Sequence, residues 1–108
     1  MSRSQLIYVV DDEPAIRDIL KSVLSDEGYP VITCQNSEVF FDQLERDTPE
    51  LVLLDIWLPG TDGMAILSIL RDTHPNLPVI MMSGHAGIDA AVNAVSYTHL
   101  TLPTTPYV

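Results

Sequence analysis

The 108-residue sequence predicts a single α/β domain built on a doubly wound parallel sheet. Short runs of strand-forming residues recur along the chain and are apolar throughout, which is typical of strands covered on both faces. Segments with the apolar spacing of helices separate these runs, and each connection is long enough for a right-handed crossover between parallel strands. A chain of this length supports one hydrophobic core, and 46% of its residues are apolar.

Four strands are predicted. Three of them are almost wholly apolar and cover residues 6–10, 51–54 and 79–82. The fourth candidate runs from Tyr29 to Cys34, and Pro30 near its start favours a position at the edge of the sheet. Cys34 is the single cysteine of the chain, and in a strand we expect it to be buried filler rather than a reactive thiol.

Four helices are predicted between and after these strands. Pro14 suits the first turn of a helix, and Gly28 is expected to end that helix. Ser37 is predicted to cap the second helix, the third begins near Asp62, and apolar spacing over residues 88–95 marks the fourth. The apolar residues that define the first helix are Ile16, Ile19, Leu20, Val23 and Leu24. Three methionines, Met64, Met81 and Met82, are predicted to fill the core.

The charge of the chain argues against one class of function. Acidic residues outnumber basic residues fifteen to five, for a formal net charge of −10. A nucleic-acid surface requires clustered Lys and Arg, whereas here they are scattered singly, so direct nucleic-acid binding is not expected. A single cysteine fits the reducing cytoplasm, and no apolar stretch reaches the roughly 20 residues that span a bilayer. We therefore expect a cytoplasmic protein without a membrane partner.

Three carboxylates stand at predicted strand ends: Asp11 and Asp12 follow the first strand, and Asp55 follows the third. In a doubly wound sheet these ends converge on one edge. Two carboxylates about 4 Å apart repel by roughly 4 kcal/mol at an effective dielectric constant of 20, so the cluster requires a proton or a cation such as Mg²⁺. The alternative for Asp11, Asp12 and Glu13 is a favourable interaction with the dipole of the next helix.

The position of Asp55 favours a functional site that binds a metal and accepts a phosphoryl group. An isolated carboxylate at the end of an apolar strand is otherwise unfavourable. A carboxylate can accept a phosphoryl group and form an acyl phosphate. The alternative is a turn-forming aspartate. Ser83 and Gly84 follow the fourth strand in the same way and would bring a hydroxyl and an unhindered N–H to this edge, although Ser-Gly is also common in turns.

Together these residues resemble the receiver domain of bacterial two-component response regulators. Three motifs carry the resemblance in the right order: VVDDEP at 9–14, LLDIWLPG at 53–60 and PVIMMSGH at 78–85. The wording of the second and third motifs is most similar to nitrogen-regulation-type regulators of the enhancer-binding class. The resemblance covers about residues 5–95 and implies a flavodoxin-like sheet.

The resemblance also implies a role for each residue of the site. Asp55 would be the phosphoacceptor, and Ser83 would be the switch hydroxyl that hydrogen-bonds the phosphoryl group. Asp12, Asp55 and the backbone carbonyl of Trp57 would bind Mg²⁺, with Asp11 orienting the waters of the ion. The domain would not be an enzyme, because it promotes only its own phosphorylation and dephosphorylation.

The same resemblance implies partners and leaves two other functions open. The phosphoryl donor would be a sensor histidine kinase, the output an effector domain that regulates transcription, and a homodimer could form through the receiver. A Mg²⁺-dependent phosphohydrolase with Asp55 as nucleophile is one alternative, although such enzymes place a second Asp where Trp57 stands. A phosphorylation-independent interaction domain is the other, and the intact carboxylates and Ser83 count against it.

The last residues depart from the family. Residues 96–108 contain four threonines, two prolines and no Asp, Glu, Lys or Arg. Thr105 and Pro106 stand where receivers carry a Lys-Pro pair, and the only lysine, Lys21, lies in the first helix. We predict an incomplete receiver over 1–95, truncated after its fourth helix, and a non-family tail over 96–108. Either a natural receiver has degenerated, or the native frame ends near Val95 and unrelated codons follow, which the abrupt loss of charge favours.

Overall fold

The computed structural model describes residues 5–56, residue 58 and residues 63–82. In this part of the chain strands and helices alternate, which confirms the predicted fold class. The strands are β1 (Ile7–Val10), β2 (Val31–Cys34), β3 (Leu51–Asp55) and β4 (Val79–Met82), and the helices are α1 (Pro14–Asp26), α2 (Ser37–Arg46) and α3 (Gly63–Thr73). The predicted fourth helix at 88–95 and the tail at 96–108 lie outside the described residues.

The four described strands form one parallel sheet in the order β2-β1-β3-β4. The second strand lies at one end of this sheet, as Pro30 predicts. From β1 the chain first moves to β2 on one side and then returns to β3 on the other side, so the winding direction reverses between β1 and β3. A reversal of this kind opens a crevice at the carboxyl ends of the two strands. Val10 pairs with Leu54 at that end.

Both faces of the sheet are covered, because α1 packs on one face and α2 and α3 pack on the other. Successive residues of a strand therefore enter different halves of the core: Ile7 and Val9 pack on the side of α1, and Tyr8 and Val10 on the side of α2. The helix residues buried against the two faces are Ile16, Leu20 and Leu24 on one side, and Phe40, Leu44, Ile66, Leu67 and Leu70 on the other. This burial explains why the strands read as continuous apolar runs.

The helix ends confirm two predictions and correct one. Pro14 is the first residue of α1, and Gly28 follows the helix with a φ of 95°, in the left-handed region that favours glycine. The cap of α2 is Asn36 rather than Ser37, because the Asn36 side chain accepts a hydrogen bond from Val39 N–H at 2.9 Å. Both residue types cap helices well, so the prediction missed by one position.

One methionine of the three predicted for the core lies at the surface. Met64 is 41% exposed, whereas Met81 and Met82 are buried in β4. The reason is that α3 buries one stripe, and Met64 is not on it. Cys34 is fully buried as predicted, and this burial raises the pKa of its thiol to about 11, so the thiol is protonated at neutral pH. Among the described helices, none has the length and apolar character that crossing a membrane requires.

Tyr8 ties α2 to the sheet. Its ring is buried and packs edge-on against Phe40, with ring centroids 6.1 Å apart. Its hydroxyl lies 3.0 Å from the carbonyl oxygen of Gln43 and also contacts that of Asp47. The carbonyl of Gln43 also accepts a hydrogen bond from Asp47 N–H at 3.0 Å. The one proton of the Tyr8 hydroxyl therefore adds a donor to the carbonyls at the end of α2 and links that end to β1.

We expect Tyr8→Phe to lower the free energy of unfolding by about 1 kcal/mol, because the ring remains while the carbonyls at the end of α2 lose a donor. Urea denaturation followed by circular dichroism measures this change. Tyr29→Phe is the control, since it removes a hydroxyl from a partly buried tyrosine before β2. Equal stability of the two variants would contradict the role assigned to the Tyr8 hydroxyl.

Candidate functional site

Three carboxylates meet in the crevice between β1 and β3. Asp11, Asp12 and Asp55 each place one carboxylate oxygen so that the three oxygens lie within 4.8 Å of one another. Asp11 is 1% exposed and Asp55 is 6% exposed, whereas Asp12 is exposed to solvent. The structure therefore brings together the three acidic side chains that the sequence placed at strand ends.

Hydrogen bonds between neighbouring strands fix the backbone on which these carboxylates stand. Asp11 N–H donates to the carbonyl of Cys34 at 3.0 Å, which extends the pairing of β1 with β2 by one residue. At the end of β3, Ile56 N–H donates to the carbonyl of Met82 at 2.9 Å. Asp55 is itself a strand residue and pairs in register with Met82. The peptides beside both buried carboxylates are thus held by the sheet.

The two carboxylate oxygens of Asp11 have different surroundings. Oδ1 accepts a hydrogen bond from Glu13 N–H at 2.9 Å, which closes a local turn after β1. Oδ2 is buried and has no hydrogen-bond partner among the described residues. A buried polar atom without a partner carries a desolvation cost, and a cation bound among the three carboxylates would offset it. For the alternative role of the acidic run, Glu13 is the N-cap residue of α1, where a negative charge is favourable, although it makes no side-chain cap bond.

Burial raises the pKa of Asp11 to about 6, which is far above the usual range of an aspartate. The hydrogen bond from Glu13 N–H opposes this rise, and the negative charges of Asp55, Asp12 and Glu13 add to it. Both the burial and the neighbouring charges disfavour the ionised form. The donors among the described residues are carboxylate oxygens, and oxygen ligands are those that a hard divalent ion such as Mg²⁺ prefers. The site therefore fits Mg²⁺.

Gly63 lets α3 begin directly against the peptide that follows Asp55. Gly63 N–H donates to the carbonyl of Ile56 at 3.0 Å. A Cβ atom at this position would overlap the carbonyl oxygen of Asp55 and would lie 2.8 Å from Ile56 Cα. Backbone atoms cannot move aside as the end of a side chain can, so only glycine fits. The sequence pattern placed the start of this helix near Asp62 but did not predict the close contact at Gly63.

Two predicted site residues lie outside the described part of the chain: Trp57, whose carbonyl was expected to bind Mg²⁺, and Ser83, the expected switch hydroxyl. Ser83 is next in the chain after Met82, the register partner of Asp55. Their roles stay predictions.

Residues 7–100 match the family model of the response regulator receiver domain, and the chain belongs to this family. It is similar to the nitrogen assimilation regulatory protein NtrX of Azorhizobium caulinodans, with 41% identity over 91 residues, which are 82% of this chain and 20% of that protein. It is also similar to the DNA-binding transcriptional regulator NtrC of Escherichia coli K12, with 40% identity over 89 residues, 82% of this chain and 19% of the relative. The chain thus spans about a fifth of the length of these curated relatives.

Solved structures agree with this family. The receiver domain of NtrX from Brucella abortus is 39% identical with a TM-score of 0.73, and the match covers 94% of this chain and 82% of that one. The response regulator TrrA from Thermotoga maritima, solved in complex with Mg²⁺-BeF, is 29% identical with a TM-score of 0.75, over 96% of this chain and 84% of that one. The chain is a receiver domain with relatives of the nitrogen-regulation type, as the resemblance implied.

The raised pKa of Asp11 predicts how stability depends on pH. Because this pKa is about 6 in the folded chain against 3.8 for the unperturbed carboxyl, the contribution of the group is fully present below pH 3.8 and is lost as the pH rises through 6. Asp11→Asn resembles the protonated acid at every pH. In EDTA, we expect its melting temperature to match that of the wild type near pH 4 and to exceed it by at least about 4 °C at pH 7.5.

Thermal melts between pH 4 and pH 7.5 measure this difference, with Asp18→Asn on the exposed side of α1 as the matched control. A melting-temperature difference for Asp11→Asn that is the same at both pH values would show that Asp11 ionises like an ordinary surface carboxylate.

The contact at Gly63 predicts that Gly63→Ala damages both the stability and the site. Overpacking of this kind costs about 1–3 kcal/mol, and the displaced Asp55 peptide should weaken Mg²⁺ binding. Gly28→Ala is the matched control, because Gly28 has a positive φ but nothing within 4 Å of an added Cβ. The control should lose about 1 kcal/mol with unchanged Mg²⁺ affinity. Gly63→Ala with wild-type stability and wild-type Mg²⁺ affinity would refute the packing argument.

Proposed function

We propose that this chain is the phosphoacceptor domain of a two-component response regulator and takes a phosphoryl group onto Asp55 with Mg²⁺. The observation that carries the proposal is the meeting of buried Asp55 with Asp11 and Asp12 at the carboxyl ends of β1 and β3. Membership of the receiver family supports it, as does the solved relative that carries Mg²⁺-BeF. The donor is a phosphohistidine on a sensor histidine kinase.

In the phosphoryl transfer, the protein forms a single covalent bond, at Asp55. A carboxylate oxygen of Asp55 attacks the phosphorus and forms the oxygen–phosphorus bond of an acyl phosphate. The phosphorus–nitrogen bond of the phosphohistidine breaks, and its electron pair returns to the imidazole nitrogen of the donor. Catalysis of such a step depends on positioning and on neutralising negative charge. The sheet supplies the positioning, because Asp55 is a buried strand residue whose neighbour Ile56 is hydrogen-bonded to β4.

The carboxylates supply the site for the metal. Asp12 and Asp55, together with the backbone carbonyl of Trp57, would hold Mg²⁺, and Asp11 would orient the waters of the ion through its unpartnered Oδ2. When bound, the ion neutralises both the carboxylate cluster and the phosphoryl oxygens. The carboxylates are already in place before the phosphoryl donor binds. The phosphoryl transfer therefore requires little reorganisation of the site.

Ser83 would couple phosphorylation to a conformational change. Its hydroxyl would donate a hydrogen bond to a phosphoryl oxygen. A hydrogen bond to a charged group contributes about 1.5–3 kcal/mol. Two or three such bonds made only in the phosphorylated state would supply the roughly 5.5 kcal/mol that inverts a 1:99 equilibrium. The missing family lysine should weaken this coupling more than it weakens Mg²⁺ binding, because the carboxylates remain.

The wider setting follows from the relatives, of which this chain covers about a fifth. The whole protein would regulate transcription through an effector domain outside this sequence, act in the cytoplasm, and dimerise through the receiver. The domain promotes only its own phosphorylation and dephosphorylation. Within the sequence, the receiver would end near Val95 and residues 96–108 would form the non-family tail; genomic codons continuous through Val108 would remove that boundary.

Incubation with Mg²⁺ and acetyl phosphate should give one acyl phosphate per chain, because the small donor can replace the kinase. Asp55→Asn should abolish the label, EDTA should prevent it, and Asp72→Asn, a change at an exposed carboxyl at the end of α3, should leave it intact. Intact-mass spectrometry measures the added phosphoryl group. Continuous release of phosphate without an accumulating label would support the phosphohydrolase, and a folded chain that never takes the label would support the interaction domain.

A further inference from the structure

Arg17 reaches from the first turn of α1 back to the loop that carries the acidic cluster. Its Nη1 donates a hydrogen bond to the carbonyl oxygen of Asp11 at 2.8 Å. The side chain is only partly exposed, and its positive charge also lies close enough to Cys34 to act on the pKa of that thiol. Arg17 thus spans the space between α1, the end of β1 and the end of β2.

This hydrogen bond fixes one of the two peptides that flank Asp12. The carbonyl of Asp11 belongs to the peptide that joins Asp11 to Asp12, and Arg17 holds it. The next peptide joins Asp12 to Glu13, and its N–H is held by Asp11 Oδ1. Asp12 therefore lies between two peptides that are each fixed by a hydrogen bond. Since the Asp12 side chain is exposed, its direction depends on this backbone more than on packing.

We infer that Arg17 is a positioning residue for the metal site: it holds the peptide before Asp12 so that the Asp12 carboxylate faces those of Asp11 and Asp55. The inference rests on the proposed Mg²⁺ function and adds a residue to it. Arg17 does not touch the metal or the phosphoryl group in this role. Outer-shell groups in other metal sites likewise orient a ligand without touching the metal, and Arg17 would do so through the backbone.

The charge of Arg17 and its hydrogen bond have opposite effects on Mg²⁺ affinity, which makes the inference testable. A guanidinium near the cluster repels a cation, so removing the charge alone would tighten Mg²⁺ binding. Removing the hydrogen bond frees the peptide before Asp12 and would weaken Mg²⁺ binding, by about tenfold if it behaves like other outer-shell partners. The direction of the change therefore distinguishes positioning from a purely electrostatic role.

The test is a calorimetric Mg²⁺ titration of the wild type, Arg17→Met and Lys21→Met. Arg17→Met keeps an apolar stem and loses the donor and the charge. Lys21→Met is the matched control, because Lys21 is an exposed cation one turn further along α1 and its removal changes the net charge equally. We expect about tenfold weaker binding for Arg17→Met and equal or slightly tighter binding for Lys21→Met. Should Arg17→Met fail to fold, Arg17→Gln, whose amide is too short to reach the carbonyl, replaces it with the same expected order.

A double-mutant cycle separates positioning from general damage to the fold. If Arg17 acts through Asp12, then Arg17→Met combined with Asp12→Asn should bind Mg²⁺ about as weakly as Asp12→Asn alone. A further tenfold loss in the double variant, or wild-type affinity in Arg17→Met while Asp12→Asn is weakened, would overturn the inference and leave the proposed function standing. A wild-type chain that binds no Mg²⁺ would overturn both.

Discussion

The main constraint on this structure is the electrostatic repulsion among three carboxylates in one crevice. The rest of the fold must hold them together against that repulsion. Three carboxylate oxygens lie within 4.8 Å of one another, and two of the side chains are buried. At an effective dielectric constant of 20, each pair about 4 Å apart repels by roughly 4 kcal/mol. The chain withstands this repulsion because the carboxylates stand on a parallel sheet that is apolar on both faces, so the free energy that orders the site comes from burial elsewhere.

Three hydrogen bonds near the cluster hold the backbone that carries the carboxylates. Asp11 N–H binds the carbonyl of Cys34, Ile56 N–H binds that of Met82, and Arg17 binds the carbonyl of Asp11. Asp11 Oδ2, in contrast, has no donor among the described residues. A site whose backbone is held in this way is ordered before a ligand arrives. Burial of Asp11, together with the negative charges of its neighbours, raises its pKa to about 6.

The sequence predicted those parts of the fold and site that follow from local pattern. Apolar runs marked the strands, Pro30 marked the edge, and the rule that parallel strands share a carboxyl edge brought Asp11, Asp12 and Asp55 together. The parts it missed depend on reach and close approach in three dimensions. The exposure of Met64 depends on which stripe of α3 faces the sheet. The need for glycine at position 63 depends on how close the start of α3 lies to the end of β3. The contact of Arg17 depends on a side chain that reaches from α1 back to the carbonyl of Asp11.

The residues proposed to bind the metal and those proposed to transmit the signal lie in different parts of the chain. All three carboxylates, the backbone bonds that hold them, and the Arg17 contact lie between residues 5 and 82. The proposed Mg²⁺ site therefore lies mainly in a part of the chain that forms a core on both faces of four strands. In the proposed function the switch begins with Ser83 and continues through the residues that follow it in the chain. Changes in that segment should consequently affect the response to phosphorylation before they affect the capacity to hold the metal.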